Sequence, residues 1–445
     1  MQSALPFDMP DPFSFERRVV AHYFPSFPLS IDNAPSATDY YNHNFLQPSG
    51  EANKYLAQGG YLRARPLPVP AGGAWPLYGL ANMMQEVRMA IAVGITGFNV
   101  DILSFADAMS PTGHLQMMAQ AAAAVDPRFS VIPMPDMSTA FTQDQIVQIL
   151  ASCKAPAFFR LPDGRLMFTA FNATKQPLSY WQGVDSALNA KGVHVAFIPI
   201  LLGEPASNPL AAVSHGLGDW GTATPAAALS CPPCFMMAVL SQQFRAKDGM
   251  FWEASNFDTF RDCLEAAIAG ALAGITKFIQ VITWNDFSES GQIQPFTDAT
   301  LALNIGTGYY YLLAYYAAWF MSGVQPDITK DVLYVSYRKM TSTALHLNQA
   351  NPVLIIPGET ETSNIECLAF LTAPGTILIN GVATACAAGI TSVKTPCVPG
   401  IPTFALQRDG SDVFEGPGPV QIYGAAGSPQ GTLDLTYWSG CLSAP

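Results

Sequence analysis

Charge is the first thing this sequence has little of. Only 12% of its 445 residues are charged, about half the usual share. The basic ones are the fewer, Lys+Arg 21 against Asp+Glu 33, for a net charge of −12. Nowhere do basic residues form a run, and phosphate binding needs a basic stripe, so nucleic acid is excluded as a ligand. The same balance excludes attraction to an anionic membrane surface. Long apolar runs are missing too. The longest, Ala266 to Ile275, falls far short of the roughly 20 residues of a bilayer span. The six histidines, at 22, 43, 114, 194, 215 and 346, are scattered, with neither an HxH nor an HExxH among them. Catalytic zinc is therefore not expected, nor any other metal. No P-loop or GxGxxG follows a strand and no GxSxG elbow occurs, which leaves no support for a nucleotide cofactor or an α/β-hydrolase triad. No cofactor is expected.

Apolar material is plentiful, at 49% of the chain. It is organised by alternation. Stretches of strand length run over residues 18–24, 96–102, 129–134, 166–171, 193–200, 216–220 (the weakest), 235–240 and 277–284. Most are apolar on both faces, as strands of a covered parallel sheet are. Helical periodicity fills the gaps, with apolar residues at 80, 83, 84, 87 and 91, and again at 257, 260, 264, 267 and 268. Asn256 is placed to cap the second of these helices. About eight strands alternating with helices predict a (β/α)₈ barrel, the α/β TIM-type fold, over residues 18–325 after an N-terminal extension, 1–17. Its first βα connection, about 26–78, is very long. It leaves the C-terminal face of the barrel, where active sites are built, and is expected to wall a cleft there with its Asp39 to Phe45 segment. Arg63 and Arg65 are read as pins of that loop. The tyrosine-rich stretch 309–316 is read as a helix packed on the barrel. After it, short alternating segments (332–337, 353–356, 365–371, 376–380) spaced by Gly and Pro turns predict a C-terminal β-sandwich over 326–445.

Eight cysteines, an even number, stand at 153, 231, 234, 263, 367, 386, 397 and 441. Half lie in the last 80 residues. Disulfides are the expectation, among Cys367, Cys386, Cys397 and Cys441 within the C-terminal domain, and with them a secreted protein whose signal has been removed. Cys231 and Cys234 have CxxC spacing, but no second ligand pair follows for zinc. A monomer is expected.

Polar residues at the C-terminal ends of barrel strands are the candidate site. They are His22 and Tyr23 on the first strand, Asn99 and Asp101 on the second, Asp136 after the third, Trp220 after the sixth and Gln242 after the seventh. The eighth ends in Thr283-Trp-Asn-Asp-Phe-Ser-Glu-Ser290. Asp286 and Glu289 stand three apart on what should be an irregular turn. Glycoside cleavage needs one carboxyl to protonate the leaving oxygen and a second as base or nucleophile. Trp284 and Asn285 beside them are candidate sugar contacts, as are the strand-end residues. Trp252 is read as core.

The Thr283–Ser290 stretch resembles the Trp-Asn-Asp-Tyr-Gly-Glu-Ser signature of glycoside hydrolase family 71, the fungal α-1,3-glucanases or mutanases. Supporting patches are Val20-Ala-His-Tyr-Phe24, Ala92 to Val100, Asp136-Met137, Phe235 to Ser241 and Asp331 to Arg338. Departures are Phe287 for Tyr, Ser288 for Gly, Gly-Gln-Ile after Ser290 for His-Tyr-Ile, and Gln242-Gln243-Phe244 for Pro-Trp-Phe. The resemblance implies an inverting hydrolase of α-1,3-glucan with Asp286 and Glu289 as the catalytic pair. The expected reaction is metal-free and endo-acting, with Glu289 as acid and Asp286 as base. The alternatives are a barrel glycosidase for another linkage, or a non-catalytic carbohydrate-binding or cell-surface protein on a retired barrel. Retention of both carboxylates disfavours the last.

Overall fold

The computed structural model describes residues 5–25, 53, 77–202, 208–221, 232–245, 250–287, 289–295, 306–341, 354–355, 362–424 and 436–443. Most of the long first connection, with Asp39 to Phe45, Arg63 and Arg65, lies outside the described residues, as does Cys231.

Ten strands belong to the barrel and its rim: β1 (Arg18–Tyr23), β2 (Gly97–Ile102), β3 (Ser130–Pro135), β4 (Leu166–Ala170), β5 (Val195–Leu201), β6 (Gly218–Asp219), β7 (Met236–Leu240), β8 (Gln243–Arg245), β9 (Met250–Trp252) and β10 (Phe278–Ile282). Eight of them form one parallel sheet in the order β3-β2-β1-β10-β7-β6-β5-β4. Its ends meet through the bridges Val131↔Phe158 and Asp136↔Phe171, so the sheet nearly closes into the expected barrel. β6 is short, as its weak pattern suggested. It is tied to β7 by Asp219 Oδ1, which accepts the Ala238 N–H at 2.8 Å.

Successive side chains on a strand point to opposite faces, and the apolar residues divide accordingly. Val19, Ala21 and Tyr23 of β1 join the outer core beneath the helices, with Phe98, Val100 and Ile102 of β2. Val20, Ile132, Met134, Met167, Ile198, Ile200, Met236 and Phe278 fill the barrel interior. Helix α1 (Leu77–Ile91) buries Met83, Val87 and Ala90 on this outer core.

Helix α2 (Asp258–Leu272) starts after Phe257, which caps it without a side-chain bond. Asn256 does not cap it. Its backbone is left-handed, with φ at 65°, and its amide is spent elsewhere, donating to Ser336 O and Asn364 O at 2.7 and 3.0 Å. Helix α3 (Gly308–Ser322) packs its tyrosines on the barrel, with Tyr309, Tyr310, Tyr315 and Tyr316 all buried.

The C-terminal region is built from two four-stranded antiparallel sheets. One has the order β16-β13-β11-β19, the other β15-β14-β17-β18. The strands are β11 (Val332–Arg338), β13 (Asn364–Leu371), β14 (Gly375–Ile379), β15 (Val382–Cys386), β16 (Gly389–Pro396), β17 (Thr403–Arg408), β18 (Ser411–Pro417) and β19 (Tyr437–Ser443). Leu333, Val335, Ile365, Cys367, Ile377, Phe404 and Leu406 fill the space between the sheets. One segment expected there, Val353–Ile356, instead gives the short β12 (Leu354–Ile355), which pairs with β9 on the barrel rim.

Cys367, Cys386, Cys397 and Cys441 carry free thiols, so the disulfides expected among them in the C-terminal domain are not formed. Part of the reason is strand parity. Cys367 lies opposite Val335 and faces the sandwich core, whereas Cys441 lies opposite Tyr334, on the face packed against the barrel. Among the described residues no helix is long and apolar enough to cross a membrane.

Candidate active site

A cleft of about 480 Å³ opens at the C-terminal ends of the barrel strands. Six of the residues singled out in the sequence line it: His22, Asp101, Asp136, Trp220, Asp286 and Glu289. Phe24, Phe171, Leu202, Gly221, Leu240, Gln243 and Trp252 complete the described lining. Trp252 is thus a wall of the cleft rather than core. The lining holds four carboxylates and no Lys or Arg among the described residues.

Asp286 and Glu289 sit on the turn that follows β10. Thr283 Oγ1 accepts the Asp286 N–H at 2.8 Å, and Asp286 Oδ1 accepts the Glu289 N–H at 3.2 Å. The chain after the turn returns beside its start, with Thr283 N donating to Gly291 O at 2.9 Å. Ser241 Oγ also donates to Gly291 O, at 3.1 Å, which fastens the turn to the end of β7. Gln243 Nε2 donates to Glu289 Oε2 and so fixes the second carboxylate from the neighbouring strand. Both carboxyls are partly open to the cleft.

A second polar group faces them. His22 Nε2 stands 3.6 Å from Asp101 Oδ2, and both side chains are about 95% buried. His22 Nδ1 and Asp101 Oδ1 are buried with no protein hydrogen-bond partner, so they are the atoms with capacity left for a ligand's hydroxyls. Burial and the nearby Asp101 carboxylate push the Asp136 carboxyl above its ordinary range, against the Ser138 N–H that it accepts at 2.7 Å. The Trp220 ring meets His22 edge-on at 4.9 Å and Phe171 at 4.4 Å. No group of three or more His, Cys, Asp or Glu among the described residues is placed to hold a metal ion.

Five sequence candidates do not line the cleft, each for a local reason. Tyr23 follows His22 by one residue and so points outward, where its hydroxyl donates to Glu86 Oε2 at 2.9 Å. Asn99 points inward but lies a layer below, donating to Gln280 Oε1 at 3.0 Å and accepting from Thr169 Oγ1 at 2.8 Å. Gln242 would face the cleft if β7 ran on, but β7 ends at Leu240 and the alternation is lost. Its side chain instead brackets the Tyr437 backbone, and its neighbour Gln243 takes the cleft position. Trp284 is fully buried against Phe98 and Tyr310, so its ring is not available to stack on a sugar. Asn285 is buried too, and its amide grips Phe24 by both backbone groups, at 2.7 and 2.9 Å.

One further residue escaped the sequence reading. Glu86 is fully buried behind the turn and accepts from Tyr23 Oη at 2.9 Å, Trp284 Nε1 at 3.3 Å and Gln294 Nε2 at 3.1 Å. Burial outweighs these three donors and pushes its carboxyl up to about 8. The signal for it was present: Glu86 sits three residues after Met83 and one before Val87, inside the apolar stripe of α1.

Residues 235–440 match the family described as Glycosyl hydrolase family 71. No curated protein matches the chain. Among solved structures it is similar to the GH99 endo-alpha-mannosidase from Bacteroides thetaiotaomicron, at 15% identity and a TM-score of 0.48, covering 71% of this chain and 99% of that one. It is also similar to a glycosyl hydrolase family 2 member from Bacteroides cellulosilyticus DSM 14838, at 8% identity and a TM-score of 0.40, covering 76% of this chain and 43% of that one. With the carboxylate-bearing turn inside the matched region, the chain is a glycoside hydrolase that resembles family 71 over residues 235–440.

Proposed function

We propose that the chain hydrolyses a neutral α-glucan, cleaving α-1,3 linkages within the polymer with inversion at the anomeric carbon. The observation that carries the reading is the pair Asp286 and Glu289, on one turn and lining one cleft. Linkage, endo action and inversion rest on the resemblance of Thr283–Ser290 to the family signature. The lining supports a neutral sugar. Phe24, Phe171, Trp220 and Trp252 offer apolar faces to pyranose rings, and among the described lining residues the polar groups are hydrogen-bonding partners with no Lys or Arg to pair with a uronate or sulfate.

In this reaction Glu289, as acid, gives its proton to the glycosidic oxygen as the C1–O bond breaks. Asp286, as base, takes a proton from a water that attacks C1 on the opposite face. Positive charge develops on the ring in an oxocarbenium-like transition state, and the carboxylate left on Glu289 as its proton departs helps to stabilise it. Asp101 and His22 bind hydroxyls of the sugar being cleaved.

Reducing-sugar release from a panel of glucans tests the substrate. The anomer first formed, read by proton NMR, tests inversion. Release from another linkage alone would replace the substrate, and a retained anomer would replace the mechanism. The roles separate by rescue. Glu289→Gln should recover on a substrate with a good leaving group, whereas Asp286→Asn should recover with azide. The reverse pattern would exchange the two assignments.

A further inference from the structure

We infer that the C-terminal β domain is part of the catalytic architecture: through Glu253, Arg338 and Tyr437 it positions the hairpin that presents Gln243 and Trp252 to the cleft. The inference rests on the reading of Asp286 and Glu289 as the reacting pair.

The hairpin is β8 and β9, and its cleft residues Gln243 and Trp252 are direct cross-strand partners. Each has a neighbour anchored in the other domain. Before Gln243, the Gln242 amide accepts the Tyr437 N–H at 2.9 Å and donates to Tyr437 O at 3.3 Å. After Trp252, Glu253 enters the interface between the domains. Its Oε2 accepts from Arg338 Nη2 at 2.6 Å and from Thr362 N at 3.0 Å, and its Oε1 accepts from the Tyr437 hydroxyl at 2.6 Å. The Arg338 guanidinium lies over the Tyr437 ring at 4.5 Å. Tyr437 therefore holds both ends of the hairpin, one through its backbone and one through its side chain.

The pair Glu253–Arg338 is 0% and 1% exposed, so the charges are not screened by water. Such a pair adds little net stability, because desolvation offsets most of the attraction, but it is strict about geometry. It is therefore suited to fixing a position. One peptide separates each anchored residue from its cleft neighbour, so a displaced anchor displaces the cleft residue by a similar distance. Gln243 in turn donates to Glu289. A misplacement of about 1 Å near reacting groups can cost about 100-fold in rate. Glu253, Arg338 and Tyr437 are not among the described lining of the cleft and act as positioning residues.

Glu253→Gln and Tyr437→Phe, each in the full chain, test this. The readouts are the melting temperature, hydrogen exchange at the amides of β8, β9 and β2, acrylamide quenching of Trp252 (by difference from Trp252→Phe), and kcat and KM on α-glucan. The expected result is exchange about tenfold faster in β8 and β9 with β2 unchanged, greater quenching of Trp252, and KM raised about three- to tenfold. Should Glu253→Gln fail to fold, Tyr437→Phe decides, since it removes one hydroxyl and keeps the ion pair. Hairpin exchange at the wild-type rate would overturn the inference. So would exchange that quickens equally in β2, which would mean that the contact only stabilises the whole chain. A wild-type protein that cleaves no glucan would remove the functional reading, and the exchange and quenching measurements would still decide the strut.

Discussion

The turn after β10 has two faces that do different work. Towards the cleft it carries Asp286 and Glu289, with His22 and Gln243 nearby. Towards the helices it carries Trp284 and Asn285, met by Tyr23, Glu86, Gln294 and the Phe24 backbone. Neighbours in sequence thus separate into groups that meet the ligand and groups that hold the turn. The first face keeps acceptor capacity open to the cleft, while the second is fully buried and its side chains bond to protein groups.

That division gives graded expectations. On the cleft face, Asp286→Asn and Glu289→Gln should each lower kcat by about 10³-fold or more, with melting temperature and sugar binding nearly unchanged. Near-wild-type turnover in either would remove the pair from the mechanism.

On the buried face, Glu86 should make stability depend on pH. Its carboxyl titrates near 4.5 when unfolded and at about 8 when folded, so between these values the native state binds the extra proton. Stability should be fully present below about 4.5 and be lost as pH rises through about 8, by roughly 3–5 kcal/mol. Urea unfolding across pH 5–9 should show that fall in the wild type and a flatter profile in Glu86→Gln. Parallel profiles would mean that the three donors, not burial, set the state of this group.

Asn285→Ala removes the two bonds to Phe24. Stability should drop by about 1–3 kcal/mol, with a rise in KM because Phe24 lines the cleft. A rise in KM without lost stability would instead place Asn285 on the cleft face. The smallest effect concerns the thiols. Since Cys367, Cys386, Cys397 and Cys441 form no disulfide, reductant should leave the melting temperature within about 1 °C. A larger drop would show a disulfide forming in solution.

Much of this architecture could be read from the sequence because it is periodic. Strand and helix patterns located all eight barrel strands to within a few residues, and the barrel rule then pointed to their C-terminal ends. The carboxylates at 286 and 289 stood out for the same reason, being polar residues directly after an apolar strand. The errors fell where a period is interrupted. Position just after a strand does not fix which side chain turns inward once the strand stops, so the sequence points to Gln242 where Gln243 lines the cleft. Trp284 was misassigned because an aromatic beside two carboxylates looks the same whether it faces a sugar or Phe98.

The sequence alone determined which segments are strands and helices, because hydrophobic burial demands the matching period, and it determined which carboxylates follow the last barrel strand. Only the tertiary structure decided which neighbours are contacts and which are locks. A buried donor or acceptor must find a partner, and the partners of Trp284, Gln242 and Glu253 lie 198, 195 and 85 residues away. No local pattern encodes a bond of that span; it exists only once the barrel has closed and the C-terminal sheet has docked against it.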